Sequence, residues 1–326
     1  MKVTIFGAGA IGGHLGAVLS RGGVDVSLVA RGAHLQAMRE NGLKLIAKGE
    51  EFVTHPRVTD EPASLGPQDY VVLSLKSHQA PQVVDALQPL LGPHTTVANA
   101  MNGVPWWYFY KLPGQWENYQ VKSVDPHGLL WSGIGPQRAI GCITYVASEV
   151  IEPGVVRAGG EFLYQIGEPD GSESERCKTF QAMVARCGID VQLRTDIRKD
   201  IWVKLMGNVA YNPVSALTMA HGKAMVDDAR TQAVLRTLMA EVISIGTALG
   251  SDSQASIDAR IEGTQKGAAL HKTSMLQDLE RGRLMEIEPI IGAAAELAQL
   301  AGVKTPTVDT VLALVRLRAQ MSGLLP

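Results

Sequence analysis

The chain opens with an apolar stretch that runs straight into Gly7-Ala8-Gly9-Ala10-Ile11-Gly12, a G-x-G-x-x-G turn that few folds can house. Gly7 permits a tight turn, Gly9 lets the backbone approach a pyrophosphate with no Cβ in the way, and Gly12 lets the next helix pack close to the sheet. The N-terminus of that helix offers unpaired N–H groups and a favourable dipole to the anion. Glycine-rich turns are common, so the context decides. Here a strand over 2–6, a helix over 11–22 carrying Leu15, Val18 and Leu19, and a strand over 24–29 give a complete βαβ unit in the required order.

The residues after the second strand bear on the dinucleotide. An Asp or Glu there would bind the ribose hydroxyls of NAD, but this chain has Ala30-Arg31-Gly32. A guanidinium accepts a 2′-phosphate that a carboxylate would repel, which favours NADP(H) as the cofactor. An ordinary solvated loop arginine would look the same at this level. Residues 70–75 read as a buried parallel strand followed by Lys76-Ser77-His78-Gln79 and a helix over 82–91, and 95–98 as a further strand leading to Asn102-Gly103. Lys76 and Asn102 thus follow carboxyl ends of strands, where open α/β sheets gather ligands.

Past a turn-rich, tryptophan-containing stretch over 106–135, strand-like pieces at 140–147, 155–157 and 162–166 suggest an antiparallel extension of the sheet. A helix over 173–186 and a strand over 189–193 complete the first domain. From Asp196 on the pattern is helical, over 200–219, 227–249, 253–279, 286–301 and 305–320. The expected architecture is α/β: a Rossmann-type doubly wound sheet with an antiparallel extension over 1–194, then an all-α domain over 195–326.

With 326 residues and 46% hydrophobic content, the chain can bury the cores of two domains. A formal charge of −2 leaves no basic field for nucleic acid, and no lysine or arginine run suits a membrane surface. Cys142, Cys177 and Cys187 are odd in number and form no C-x-x-C, so neither a disulfide framework nor a metal site is expected, and a reducing cytoplasm is. Glycines interrupt the apolar N-terminus, which therefore does not read as a signal peptide, and no apolar run approaches a membrane span.

Chemistry is suggested by the first helix of the second domain, where Lys204, Asn208 and Asn212 recur at four-residue steps. Each step turns about 400°, so the three lie within an arc of about 80°. Such a stripe suits a polar cleft in which a lysine acts as a general acid and amides hold oxygen atoms without adding charge. A polar face meeting solvent would share that spacing. Downstream, Ser274 could donate to a carboxylate, and Glu286 could orient a substrate hydroxyl or tune Lys204, with Gly282 as a break between them. Taken alone, Glu286 fits a surface charge as well.

Taken together, Gly7-Ala-Gly-Ala-Ile-Gly12, Leu75-Lys76-Ser77, Asn102-Gly103-Val104, Lys204-Leu-Met-Gly-Asn208-Val-Ala-Tyr-Asn212-Pro213 and Ser274-Met-Leu-Gln-Asp278 with Glu286-Ile287 resemble the ketopantoate reductase family over nearly the whole chain. The resemblance implies an NADPH-dependent reduction of a 2-keto acid, 2-dehydropantoate foremost, to the 2-hydroxy acid. It implies Lys204 as general acid, Glu286 as its helper on the substrate hydroxyl, and Asn102, Asn208, Asn212 and Ser274 as substrate contacts. Arg31 and Lys76 fall on the cofactor side, and Asn102 borders it. Three departures stand out: the aromatic segment Pro105-Trp106-Trp107-Tyr108-Phe109-Tyr110 through Trp131, His271 in place of an asparagine, and no clear asparagine near His221-Gly222. The aromatic bulk fits core or contact packing first, with a cover for nicotinamide or a changed substrate range as alternatives. A reductase of another 2-keto acid or imine, or a non-catalytic NADP-binding sensor, would share the architecture. A homodimer is compatible with a helical second domain, though the sequence does not fix one.

Overall fold

Strand β1 (Lys2–Phe6) is buried at four of its five positions, as expected of a parallel strand covered on both faces. It lies between β2 (Asp25–Val29) and β6 (Tyr70–Leu73), parallel to both. The connection from β1 runs through α1 (Ala10–Arg21) to β2, whereas β6 lies on the opposite side, so the strand order reverses beside β1. Such a reversal opens a ligand crevice at the carboxyl ends of the strands. The computed structural model describes residues 1–253, 255–267 and 272–324.

Two compact units are present. The first takes Met1–Met101, Pro105–Gln120 and His127–Ile197, and the second takes Asn102–Val104, Val121–Pro126 and the chain from Arg198 onward. In the first, α2 (Gly32–Asn41) follows β2 and leads to β3 (Leu43–Ala47), β4 (Glu50–Thr54) and β5 (Arg57–Thr59). After β6 come the short α3 (Val84–Leu87), β7 (Thr96–Asn99) and α4 (Leu129–Ile134). The long strands β8 (Ala139–Glu152) and β9 (Val155–Gly167) precede α5 (Glu175–Ala185) and β10 (Asp190–Leu193). Among the described residues these form one ten-stranded sheet, ordered β4-β3-β9-β8-β7-β6-β1-β2-β5 with β10 beside β9.

The expected antiparallel extension is the β8–β9 pair, but β9 is one continuous strand rather than pieces at 155–157 and 162–166. Its first half pairs with β3 and its second with β10. Glycines 159 and 160 interrupt the apolar alternation there without ending the strand. The helix expected over 82–91 is instead a 3₁₀ run (Ser77–Val83), the single α turn of α3 and a second 3₁₀ turn (Gln88–Leu90). Pro89 lies inside the expected span and removes an amide donor, so a continuous α ladder cannot form. The aromatic stretch is core: Trp106, Trp107, Tyr108 and Phe109 are each at most 1% exposed.

The second unit is helical in all its described regular structure: α6 (Ile197–Thr218, its first residue in the first unit), α7 (Gly222–Asp227), α8 (Ala229–Ala248), α9 (Ile257–Lys266), α10 (Ser274–Glu280), α11 (Ala293–Ala301) and α12 (Pro306–Met321). A π-helical segment, Glu288–Gly292, leads into α11. Among the described residues, the region expected as a single helix over 253–279 holds two, with Gly267 outside both. Helix α8 is central, burying Leu235, Leu238, Met239, Val242 and Ile245, and packs against α7, α9, α11 and α12. Its Glu241 accepts the Thr307 and Val308 N–H groups at 3.0 and 2.8 Å, so a carboxylate meets the positive end of α12. No helix among the described residues is long and apolar enough to cross a membrane.

Candidate functional site

In the first unit the glycine turn sits at the carboxyl end of β1. Gly7 has φ +105°, a conformation costly for a residue with a side chain, and its carbonyl accepts the Ser74 hydroxyl at 2.8 Å. That bond ties the turn to the end of β6. Gly9 precedes α1 as its N-cap with no side-chain hydrogen bond, and a Cβ built on it meets no atom within 4 Å. Position 9 therefore borders open space at the N-terminus of α1, which any side chain there would enter. An uncapped helix N-terminus with no acidic residue in its first turn suits a pyrophosphate.

His34, on α2, supports this turn. The Gly154 N–H donates to its Nδ1 at 2.9 Å, so the ring is the tautomer whose Nε2–H donates to the Ala8 carbonyl at 2.7 Å. Burial pushes the imidazole pKa below its usual value, against the smaller opposing pull of the Ala8 carbonyl, which keeps this neutral form. Sequence reading missed this residue, because nothing local distinguishes it from a surface histidine at the start of a helix.

Arg31 is the N-terminal neighbour of α2, directly beyond β2, exposed and without an ion-pair partner among the described residues. Lys76 lies two residues beyond Ser74 and is half-buried. Both cations follow the carboxyl ends of strands that flank β1, so the first unit carries the turn, the helix terminus and two positive residues at the carboxyl ends of its central strands. Ala8, Ala10 and Ile11 form the rest of the turn.

In the second unit, Lys204, Asn208 and Asn212 share one face of α6. Lys204 and Asn208 are half-buried and Asn212 is 6% exposed, so the stripe is not an ordinary solvent face. Glu286 is 3% exposed, which corrects the surface-charge alternative. It precedes the π segment, where the Val104 N–H donates to the Pro289 carbonyl at 3.0 Å. A Cβ on Gly103 would stand 2.2 Å from that same oxygen, so only glycine permits the approach. Asn102 is thereby held beside the segment that begins at Glu286. Ser274 is the exposed first residue of α10, after its N-cap Thr273. Gly282 does end that helix: the Arg283 N–H reaches the Asp278 carbonyl and the Gly282 N–H that of Leu279, a Schellman motif. His221 caps α7 through its Nδ1, and His271 lies outside the described residues.

Arg260, which carries no motif, lies against the flank of the same α6 stripe. Its guanidinium carbon is 5.4 Å from the centroid of the Tyr211 ring, and the only sequence signal for such an approach is a glycine, Gly207, inside a strong helix.

Family models described as "Ketopantoate reductase PanE/ApbA" and "Ketopantoate reductase PanE/ApbA C terminal" match residues 3–171 and 196–319. A 2-dehydropantoate 2-reductase of Mesorhizobium japonicum is 48% identical over 324 residues, covering 99% of each chain. A crystal structure of a putative ketopantoate reductase from Ralstonia solanacearum superimposes with a TM-score of 0.94 at 38% identity, covering 99% of each chain. A D-mandelate dehydrogenase solved with NADH and anilino(oxo)acetate shares the fold, with a TM-score of 0.86 at 19% identity and full coverage of both chains.

Proposed function

The chain belongs to the ketopantoate reductase family of pyridine-nucleotide-dependent oxidoreductases, and from that premise we propose that it reduces 2-dehydropantoate to pantoate with NADPH, in the cytoplasm. The reading assigns cofactor binding to residues 1–194 and substrate binding and proton donation to 195–326. NADPH, when bound, supplies the hydride that reduces the keto carbon. Lys204 gives its proton to the carbonyl oxygen as charge builds on it, so the alkoxide never forms unprotonated in a poorly hydrated site. Glu286 accepts a hydrogen bond from the substrate hydroxyl and holds the ammonium in place. Asn102, Asn208, Asn212 and Ser274 fix the remaining oxygens, which brings the reacting atoms into register.

The observation that most supports this reading is the withdrawn polar stripe of α6. A half-buried lysine in line with two amides is poor core material and suits the lining of a polar ligand site. The direct test follows NADPH absorbance while purified protein is offered a panel of 2-keto acids. The expected result is a kcat/KM for 2-dehydropantoate well above that of its analogues, and a flat profile across the panel would refute the substrate assignment.

Cofactor choice rests on Arg31. The open amide end of α1 treats NADH and NADPH alike, because both carry the pyrophosphate, so only the group at the end of β2 discriminates. Replacing Arg31 by Asp exchanges an attraction for a repulsion at the 2′-phosphate. NADPH affinity should fall by about 10²-fold or more, a charged hydrogen bond being lost and a like charge added, with NADH affinity little changed. Equal losses for both cofactors, measured by fluorescence titration, would remove Arg31 from the phosphate site.

A further inference from the structure

The backbone groups of Gly7, Ala8 and Gly9 can be accounted for one by one. The Gly7 and Ala8 N–H groups both donate to the Val29 carbonyl at 3.1 Å, and the Gly9 carbonyl accepts the Gly13 N–H at 2.7 Å. The Gly7 carbonyl accepts the Ser74 hydroxyl, and the Ala8 carbonyl accepts the His34 Nε2–H. Among the described residues only the Gly9 N–H of this set has no acceptor. The geometry points to His34 as a positioning residue for the dinucleotide, one that fixes the plane of the Ala8–Gly9 peptide and so aims the Gly9 N–H at the pyrophosphate, a role that rests on the reading of this turn as the dinucleotide site.

The argument begins with the peptide unit. In a planar trans peptide the C=O and the N–H point in opposite directions, so a bond that fixes one fixes the other. His34 holds the Ala8 oxygen at 2.7 Å, which turns the Gly9 N–H away from the ring. The residues themselves do not set that plane, because a peptide that leads into glycine rotates with little steric resistance. Ala8 is 3% exposed, so its carbonyl needs a protein donor, and among the described residues His34 is the only one it has. An amide already aimed at an anion costs nothing to orient when the ligand arrives.

His34 can act as a fixed point because its ring is held at both nitrogens. The Gly154 N–H donates to Nδ1 at 2.9 Å, and the Gly154 carbonyl in turn accepts the Lys44 N–H at 2.9 Å. Gly154 is buried with φ +78°, and a Cβ there would stand 3.1 Å from the Ala37 Cβ. The β8–β9 turn is thus seated on β3 and against α2, and it grips the imidazole from the side opposite the glycine turn. Ser74 ties Gly7 through a single hydroxyl, whereas His34 links the Ala8 carbonyl to a second, independently anchored segment.

The test titrates NADPH and NADH into full-length wild type, His34→Ala, His34→Phe and His34→Gln, with adenosine 2′-phosphate, which lacks the pyrophosphate, as a competing probe. Alanine and phenylalanine make neither bond, and each should weaken NADPH and NADH alike by about 10-fold, as when a donor to a charged acceptor is misaligned. Glutamine carries a donor and an acceptor and should restore most of that loss. The Ki of adenosine 2′-phosphate should match wild type throughout. With 2-dehydropantoate as substrate, the KM for NADPH should rise in the alanine and phenylalanine variants while kcat at saturating NADPH stays near wild type. Phenylalanine fills the place of the ring, so a fold lost with alanine does not end the comparison. Unchanged dinucleotide affinity without the imidazole, a loss in His34→Gln as large as in His34→Phe, or an equal loss for adenosine 2′-phosphate overturns the role of His34 alone. A wild type that binds neither dinucleotide overturns the parent reading and this one with it.

Discussion

Lys204→Ala is expected to lower kcat by about 10²- to 10⁴-fold, the range for losing a positioned general acid, while NADPH affinity stays at its wild-type value. Alanine is the best helix former, and the residue removed is only half-buried, so α6 should hold and the unfolding midpoint should barely move. Lys204→Arg separates two roles that the alanine variant merges. A guanidinium keeps the positive charge that would stabilise a developing alkoxide, but with a pKa above about 12 it does not release its proton. If proton donation is the larger contribution, arginine leaves the enzyme nearly as slow as alanine does. Pre-steady-state oxidation of bound NADPH is the measurement to use, because it reports the chemical step apart from product release. A Lys204→Ala enzyme that retained most of its kcat would take the proton donor away from this lysine.

The elements that sequence made legible are those whose pattern is local. Strands β1, β2, β6 and β7 are short apolar runs bounded by glycine or polar turns, and the period of α8 is plain over its whole length. The β3–β4 hairpin was not legible, although it forms one edge of the sheet. Its two-residue turn is Lys48-Gly49, both with positive φ, and lysine in place of Asn or Asp conceals the turn signature. The edge strand β4 also begins with two exposed glutamates, Glu50 and Glu51, as exposed edge strands do. In the second unit, His221 opens α7 by capping it, a role usually read from Ser, Thr, Asp or Asn.

The candidate site divides in the same way. The four-residue steps of Lys204, Asn208 and Asn212 lie on one helix and are visible as spacing. The contact of Gly103-Val104 with Pro289 joins segments far apart in the chain, and a turn sequence such as Asn-Gly carries no hint of its partner. Burial of Glu286 is likewise a tertiary fact, since a carboxylate between Met285 and Ile287 and close to the charged Arg283 and Glu288 could face either way. Spacing thus pointed to the helix of the proposed site, whereas the residues that complete its surroundings required the packing of other elements.

The second large effect separates two glycines that a motif treats as equals. In Gly12→Ala the new Cβ would stand 2.1 Å from the Gly7 carbonyl oxygen and 2.4 Å from the Ser74 hydroxyl, with Ile5 Cγ2 at 2.9 Å. The nearest obstacle is backbone, so α1 must lift away from the turn, at a cost of about 1–3 kcal/mol or more for a forced overlap in a packed interior. Raising α1 also moves the amides that would hold the pyrophosphate, so this variant should lose both stability and NADPH affinity. Gly9→Ala should behave otherwise. Its methyl group meets nothing within 4 Å, and its φ of −70° is open to alanine, so denaturant unfolding should resemble wild type. The methyl group does enter the space in front of the α1 amides, and NADPH affinity should fall by at least about 10-fold, as when donors lose contact with a charged acceptor. Affinity lost with stability in one variant, and without it in the other, is the pattern required if the dinucleotide lies directly on Gly9 while Gly12 serves the packing beneath. A Gly9→Ala protein that bound NADPH as tightly as wild type would mean that the cofactor does not approach this turn.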